Sequence, residues 1–534
     1  MRRVSIRPDM TAPTDGSPLR TPIFRAIWSA NMCSNLGLMV QAVGASWMMT
    51  ELGGSPQMIA LVQTAASLPT MLLALVAGAV ADSYNRRNVM LAANGFMMAT
   101  ALVMALCAWS KILSPSSLLA FTFLLGCGSA LHNPAWQALV GEILPRSALS
   151  SASALNSIGF NVARSLGPAI GGLIVSLGGA LAAFFVNAMS YTGLLAVLVR
   201  WRPKASPDSL PREKFVPAMG AGVRYVTLSP MLMRLMCRAL LFGLAASVLP
   251  ATMPLIARDL VKGGAMTYGI LLASYGAGGM IGALGSAYLR RLMAAEAVAA
   301  FSAICLAMAA ALVSLASYLP IILMAHMMAG AGYVVAFSTY NVSVQLSAPR
   351  WVAARALALY QMAAFAGIAL GSFLFGTIAS EMNIVTALRA AAVLQIASVV
   401  AGMRWPIVVN ENQDLSAAEW APPQDSPVGE AIHGPITVQI DYEVRHEDRD
   451  AFLTIMNERG RIRRRDGARR WMLLRSLSAP GHWTEKYEVA NWEEYLRHNR
   501  RRTNEDRSNF QSIRMLTVGV SPPIVKYFEV QTFG

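Results

Sequence analysis

The chain is short of charge. Only 14% of its 534 residues are Asp, Glu, Lys or Arg, against 55% hydrophobic types, and the mean hydropathy is +0.46. That balance excludes an ordinary soluble protein of this length and reads as a polytopic membrane protein. Cysteine is scarce too: Cys33, Cys107, Cys127, Cys237 and Cys305 all fall in apolar segments without CxxC spacing. This pattern suggests neither a zinc site nor a disulfide framework and leaves them as packing residues. The dipeptide Gly-Lys does not occur, so the chain has no G-x-x-x-x-G-K-[ST] loop with which to run an ATP-driven exporter. Nor does a short apolar stretch with a small-residue cleavage site open the sequence; residues 1–21, with Arg2, Arg3, Arg7, Arg20 and several prolines, read as a disordered cytoplasmic start. Carboxylates are missing from the middle of the apolar segments. Between residues 22 and 405 the acids are Glu51, Asp82, Glu142, Asp208, Glu213, Asp259, Glu296 and Glu381, each at or near an expected helix end.

What is present is length and apolar character. A bilayer core about 30 Å thick needs roughly 20 apolar residues per helix, and residues 23–405 supply about twelve such runs. The net charge of +15 is unevenly spread. Arg86 and Arg87, Arg146, the 200–224 stretch, Arg290 and Arg291, and Arg350 and Arg355 occupy alternate connections, while the others carry little beyond Lys111, Arg258 and Lys262. By the positive-inside rule the basic set is cytoplasmic, which predicts an even number of spans with both termini inside.

The sequence also repeats itself. "GAVADSYNRR" from Gly78 and "GALGSAYLRR" from Gly282 align at an offset of 204 residues, matching Tyr84 to Tyr288, Arg86 to Arg290 and Arg87 to Arg291. The same offset relates Pro145 to Pro349, Gly167 to Gly371 and Gly172 to Gly376. A duplicated six-helix unit follows. Two six-helix halves joined by a basic linker form the parallel-repeat layout of major facilitator transporters.

"GAVADSYNRR" resembles that family's signature between its second and third helices, with Asn85 where a glycine is usual. "ARSLGPAIGG", residues 163–172, resembles the fifth-helix motif of the antiporter branch, with Ala163 in place of its first glycine. "NPAWQALVGEILPRSALSSASALNSIGFNVARSLGPAIGG" is similar to the transmembrane secretion effector group, which includes enterobactin exporters and macrolide-type efflux proteins. The resemblance covers residues 23–405. It implies a proton-driven secondary exporter that works by alternating access, moving a small amphipathic siderophore-like or drug-like substrate through a bacterial cytoplasmic membrane.

Within that frame the resemblance makes Gly78, Asp82, Arg86 and Arg87, with the repeat copies Arg290 and Arg291, gate residues. Topology accounts for arginines at cytoplasmic helix ends, but Asp82 is replaced by Ser286 in the second copy, so repetition does not demand an acid there. An anion at this point can pair with a nearby arginine or with the positive end of a helix from the other half. Arg164 lies about 15 residues beyond the start of its helix near Leu149, roughly 22 Å deep at 1.5 Å per residue. A cation at that depth costs at least about 2.5 kcal/mol unless it faces a cavity or a partner. Ser157, Asn161, Arg164, Pro168 and Gly171 share one helix face. Their copies of Asn161 and Arg164 are Phe365 and Ile368, so the polar stripe belongs to the first half. The candidate cavity or coupling set is therefore Asn161, Arg164, Gly167, Pro168, Gly171 and Gly172, with His132, Asn133 and Gln137 from the fourth helix. Asn31, Asn35, Gln41, Gln63, His326, Asn341, Gln345 and Gln361 are further polar residues in the spans, each also suited to interhelical hydrogen bonding. Arg238, about two turns into the seventh helix, is expected to snorkel.

After Pro406 the character changes. From about Gly434, "ITVQIDYEV" reads as a half-buried strand and residues 447–465 as a basic helix with Phe452, Ile455, Met456 and Ile462 inward. Strands near 470–476 and 484–489, a helix over 491–502 and a last strand near 513–520 complete a β-α-β-β-α-β order, which is ferredoxin-like. "GARRWMLLRS" and "TEKYEVANWEEYLRHNRR" resemble small dimeric barrel domains related to antibiotic-biosynthesis monooxygenases, with Tyr495 where relatives carry a histidine and His498 one turn later. The resemblance implies a dimerisation or ligand-binding module; the alternatives to export are a membrane-anchored enzyme whose monooxygenase-like tail does the chemistry, and a non-transporting membrane sensor. The expected organisation is thus a tail at 1–21, six-helix bundles at 22–200 and 230–405, linkers at 201–229 and 406–433, and a cytoplasmic α+β domain at 434–534. The expected partners are a small-molecule substrate, the proton gradient, the lipid bilayer and a second copy of the chain through that domain. No cofactor, metal or nucleic acid is expected.

Overall fold

In a computed structural model of the chain, the described residues are 18–144, 148–201, 215–349, 351–407, 415, 434–518 and 525–529. They gather into two compact units. The first comprises Met1–Ser209, Arg238–Thr339 and Gln361–Pro406; the second comprises Leu210–Cys237, Tyr340–Tyr360 and Ile407–Gly534.

The first unit is helical. α1 (Pro22–Glu51), α2 (Pro56–Ser83), α3 (Arg86–Trp109), α4 (Pro115–Ile143) and α5 (Leu149–Arg200) form the first half. Proline in the first turn begins α1, α2 and α4, where its missing N–H costs nothing. Ser55, Asn85 and Ser114 cap α2, α3 and α4 by accepting from backbone N–H groups of the first turn. α5 is two limbs broken at Gly179, whose φ of 69° is a left-handed conformation that glycine adopts without strain. The second half contains α7 (Pro230–Ala246) running into α8 (Val248–Leu255), then α9 (Ala265–Leu292), α10 (Ala295–Leu315), α11 (Leu319–Ser347), α12 (Ala353–Glu381) and α13 (Ile384–Arg404). With α5 counted as two limbs and α7–α8 as one rod, the described residues form twelve long helical rods where twelve crossings are expected. Among the described residues nine spans are long and apolar enough, by length and composition, to cross a membrane. In the first half Phe24 stacks on Trp136, and around them Met90, Leu139 and Leu194 close a dry core.

The second unit carries the α+β domain. The linker expected at 201–229 contains a helix, α6 (Phe215–Thr227). β1 (Ile436–Glu443), β2 (Arg469–Arg475), β3 (His482–Val489) and β4 (Val525–Glu529) form a sheet of order β2-β3-β1-β4 with every neighbouring pair antiparallel, the order expected of a split β-α-β arrangement. α14 (Arg449–Asp466), α15 (Trp492–Arg500) and α16 (Asn504–Leu516) accompany it, and Ile436, Val438, Ile440 and Tyr442 alternate into a core shared with Phe452 and Met456. One expectation fails here. Residues 513–516, read from sequence as the start of the last strand, end helix α16, and the fourth strand lies at Val525–Glu529. The reason is local: Thr503 and Asp506 make a capping box that starts a helix, and its periodicity turns Ile513 into the core.

Candidate functional site

A cavity of about 370 Å³ lies between the two halves of the first unit. From the first half it is walled by Leu38, Gln41, Ser46, Gln63, Thr122, Ser129 and Pro168; from the second by Ser247, Tyr268, Tyr275, Tyr333, Phe365 and Ile368. None of the described lining residues is charged. The wall is chiefly apolar with scattered amides and hydroxyls, the composition usual for a small-molecule pocket.

The two halves meet at the end of the bundle that carries the α1–α2 and α12–α13 connections. Gln57 Nε2 donates to Thr377 Oγ1 at 3.2 Å, and Thr64 Oγ1 donates to the Ala369 carbonyl at 3.1 Å. Trp47 stacks on Tyr268 with ring centroids 6.5 Å apart. Gly172 on α5 and Gly269 on α9 approach so closely that a Cβ added to either would lie 2.6 Å from the other's Cα. Small residues let helix backbones approach in this way. At the opposite end, the described contacts of Arg86, Arg87 and Arg290 stay within one half. Arg86 pairs with Glu142. Arg87 donates from Nε to the Leu198 carbonyl at 2.7 Å and from Nη2 to that of Val199 at 3.0 Å, satisfying carbonyls at the C-terminal end of α5. Arg290 donates to Ser338 Oγ at 3.0 Å, and Arg291 is exposed. Gly78 has open space around it.

The other sequence candidates divide. Pro168 lines the cavity, while Gly167 packs on Met39 and Gly171 on Val40 and Val43 of α1. The side chains of Asp82, Ser157, Asn161 and Arg164 lie outside the described residues, although the backbone of α2 and α5 at those positions is helical. His132 is buried in the first half: its Nε2 meets Asn31 Oδ1 at 2.9 Å, and Asn94 Nδ2, which also donates to the Met90 carbonyl at 2.7 Å, meets its Nδ1 at 2.9 Å. The two asparagines assign the neutral ring with the proton on Nε2. Asn133 and Gln137 are exposed and outside the cavity lining.

Sequence reasoning missed the tyrosines. Tyr268, Tyr275 and Tyr333 come from α9 and α11, and only the packing of those helices brings them to one wall; no spacing signal in the chain marks them. Arg238 was also misjudged. It is 5% exposed and does not snorkel: Nη2 donates to Glu296 Oε1 and Nη1 to the Ser398 carbonyl, both at 2.7 Å, joining α7 to α10 and α13.

Comparison with known proteins bears on this geometry. The chain is 26% identical over 375 residues to the multidrug efflux pump Tap of Mycolicibacterium fortuitum, covering 68% of this chain and 91% of Tap. It is 21% identical over 263 residues to macrolide efflux protein A of Streptococcus pyogenes, covering 49% and 65%. The fold superposes on a bacterial homolog of the human lysosomal transporter Spinster, in its inward-facing and occupied conformation, with a TM-score of 0.58 at 16% identity over 77% of this chain and 100% of that one. The family model described as transmembrane secretion effector matches residues 14–531. With twelve helical rods in two halves around one cavity, the chain belongs to the transmembrane secretion effector family of major facilitator transporters and is a multi-pass membrane transporter.

Proposed function

We propose that this transporter exports a small amphipathic molecule, siderophore-like or drug-like, across the bacterial cytoplasmic membrane by alternating access in exchange for protons. The observation that supports it most is the cavity between the halves, with the described contacts between them forming a seam at the end of the α1–α2 and α12–α13 connections. Efflux relatives support the direction of transport. The positive-inside rule supports a cytoplasmic position for the end bearing Arg86 and Arg290; on that reading the seam at Gly172 and Gly269 is the outer gate and the cavity opens inward. Both chain ends then lie in the cytoplasm.

Repeat symmetry supports the assignment of Arg164 and Asn161 to the same cavity. Their copies 204 residues later, Ile368 and Phe365, line it from the second half. A guest with an acidic or strongly polar group would present that group to Arg164 and its apolar body to the tyrosines. His132, neutral between two asparagines and three residues along α4 from lining residue Ser129, is our candidate proton carrier.

The test is uptake of candidate compounds into everted vesicles, with and without an imposed pH gradient. Ser129→Trp, which puts an indole into the cavity, is expected to lower uptake at least tenfold with unchanged protein amount; unimpaired uptake would move the substrate elsewhere. For the cytoplasmic gate, Asp82→Asn is expected to lower turnover several-fold with little change in substrate affinity. Efflux that survived it intact would remove Asp82 from the gate.

A further inference from the structure

In the second unit, four side chains from three separate parts of the chain form one continuous stack. The Arg465 guanidinium on α14 lies 4.8 Å from the ring centroid of Tyr225 on α6. Tyr225 meets Trp351, between α11 and α12, edge to face at 5.3 Å. The Arg501 guanidinium, just past α15, lies 4.9 Å from the Trp351 ring. The order is cation, ring, ring, cation. Both cations are held from behind by carboxylates of the tail itself: Arg465 Nη2 donates to Asp506 at 2.8 and 2.9 Å and Arg465 Nε to Asp466 at 2.9 Å, while Arg501 Nη1 donates to Glu494 Oε1 at 2.7 Å. Pinned guanidinium planes lose little freedom when they cover an aromatic face, which is where such contacts are strongest. Further bonds join the same parts. Arg461 Nη1 donates to the Leu228 carbonyl at 2.7 Å, Arg224 Nε donates to the Arg465 carbonyl at 3.4 Å, and Gly222 lies so close to Arg355 that a Cβ there would sit 2.8 Å from it. Tyr225, Arg465 and Arg501 are all buried.

The segments clamped by this stack are not peripheral to transport. α7 and α12 run continuously from the second unit into the first and α11 from the first into the second, and Leu228 lies two residues before α7 and Trp351 two residues before α12. We propose that the tail is a conformational latch: by stacking Arg465 and Arg501 on Tyr225 and Trp351, it locks the starts of α7 and α12 together and favours the inward-open state in which the stack is formed. A contact that is complete in one state and strained in the other shifts the equilibrium toward the first by the difference. The tail thereby sets how much of the protein rests inward-open, and anything that frees α14 or α15 from the stack drives the outer seam apart. This inference rests on the alternating-access reading, but its test needs no substrate, so failure of every candidate compound in the vesicle assay leaves it standing.

The experiment is hydrogen–deuterium exchange on the full-length protein in lipid nanodiscs. The variants are Arg501→Lys, which keeps the charge near Glu494 but loses the flat face, and Trp351→Ala, which removes the centre of the stack. The control is Arg470→Ala, a 76% exposed side chain paired only loosely with Glu488 on the sheet edge. In both latch variants, peptides over α6 are expected to exchange faster, and peptides over residues 56–64 and 265–269 at the outer seam about tenfold faster, with the control unchanged. If α6 loosens and the seam does not respond, the tail is passive cargo and the proposal is overturned. If α6 keeps its protection in both variants, the stack does not hold the tail and the proposal is equally overturned.

Discussion

Replacing Gly172 by leucine is expected to cut transport more than tenfold without unfolding the protein. A Cβ at residue 172 would lie 2.6 Å from the Gly269 Cα, 3.2 Å from its nitrogen and 3.3 Å from the Ala265 carbonyl oxygen. All three are backbone atoms, so no rotamer change relieves the clash, and α5 must move away from α9. Overpacking of a tight contact typically costs about 1–3 kcal/mol, which corresponds to roughly a fivefold to a hundredfold shift between two conformations at 1.4 kcal/mol per factor of ten. The penalty falls on the state with a sealed outer seam and spares the state in which the halves have parted there. Everted vesicles carrying Gly172→Leu should therefore show uptake reduced more than tenfold, while peptides over 265–269 exchange faster. Normal uptake with an unchanged seam would mean that the close approach of these two glycines is not part of the cycle. Gly171→Ala is the companion: its Cβ meets Val43 and the Val40 Cα at 3.0 to 3.1 Å within the first half, so it strains packing on α1 without touching the seam.

The second large effect concerns the tail. Glu485 is fully buried and is the hub of its polar interior: Arg463 Nε donates to it at 3.1 Å, Tyr442 Oη at 2.7 Å and Trp471 Nε1 at 3.0 Å, with Arg459 3.8 Å away. The Arg463 guanidinium also lies 4.5 Å from the Tyr487 ring centroid and donates to His498 Nε2 at 3.1 Å. Burial, with Arg463 and Arg502 alongside, holds the His498 imidazole well below the usual histidine range, so it accepts as a neutral ring. Glu485→Gln keeps the shape but leaves two buried guanidinium groups without a counter-charge. Breaking a buried pair from one side costs about 3–5 kcal/mol, a large share of the stability of a domain this small. Thermal unfolding followed by the fluorescence of Trp471 and Trp483 in the full chain should show the tail melting well below the wild-type temperature. An unchanged melt would mean that Arg459 and Arg463 are neutralised by some other group.

The same carboxylate predicts an acid response with a definite sign. Burial alone would raise the Glu485 pKa, but the guanidinium groups of Arg463 and Arg459 and the hydrogen bonds from Tyr442 and Trp471 outweigh it and bring it down from 4.5 to about 2. A group whose pKa is lower folded than unfolded stabilises the fold above its unfolded value. Its contribution, on the order of 3 kcal/mol, is complete above about pH 4.5 and is lost as pH falls through about 2. Glu485→Gln should flatten that part of the tail's stability curve, and a variant curve as steep as wild type would assign the acid response to other carboxylates.

Several features were legible in the chain before any coordinates. The duplication at an offset of 204 residues and the basic residues in alternate connections were enough for two six-helix halves, because the bilayer leaves few ways to satisfy a backbone and hydropathy reports them directly. Phe452, Met456 and Ile462 were readable as the inner face of α14 because helical periodicity is a local property. Arg238 was misread for the complementary reason. Its depth on α7 was correct, but its partners Glu296 and the Ser398 carbonyl come from helices that sequence distance does not connect.

The sequence by itself determined the membrane class, the number of rods, the repeat, the basic loops and the existence of an α+β tail, since each follows from hydropathy, periodicity or charge along a short stretch. Tertiary structure alone decided that Gly172 faces Gly269, that three tyrosines from α9 and α11 line one cavity with Gln41 and Gln63, and that Arg465 and Arg501 find Tyr225 and Trp351. Those contacts join positions tens to hundreds of residues apart. Their geometry depends on how rigid helices pack, which local pattern along the chain does not specify.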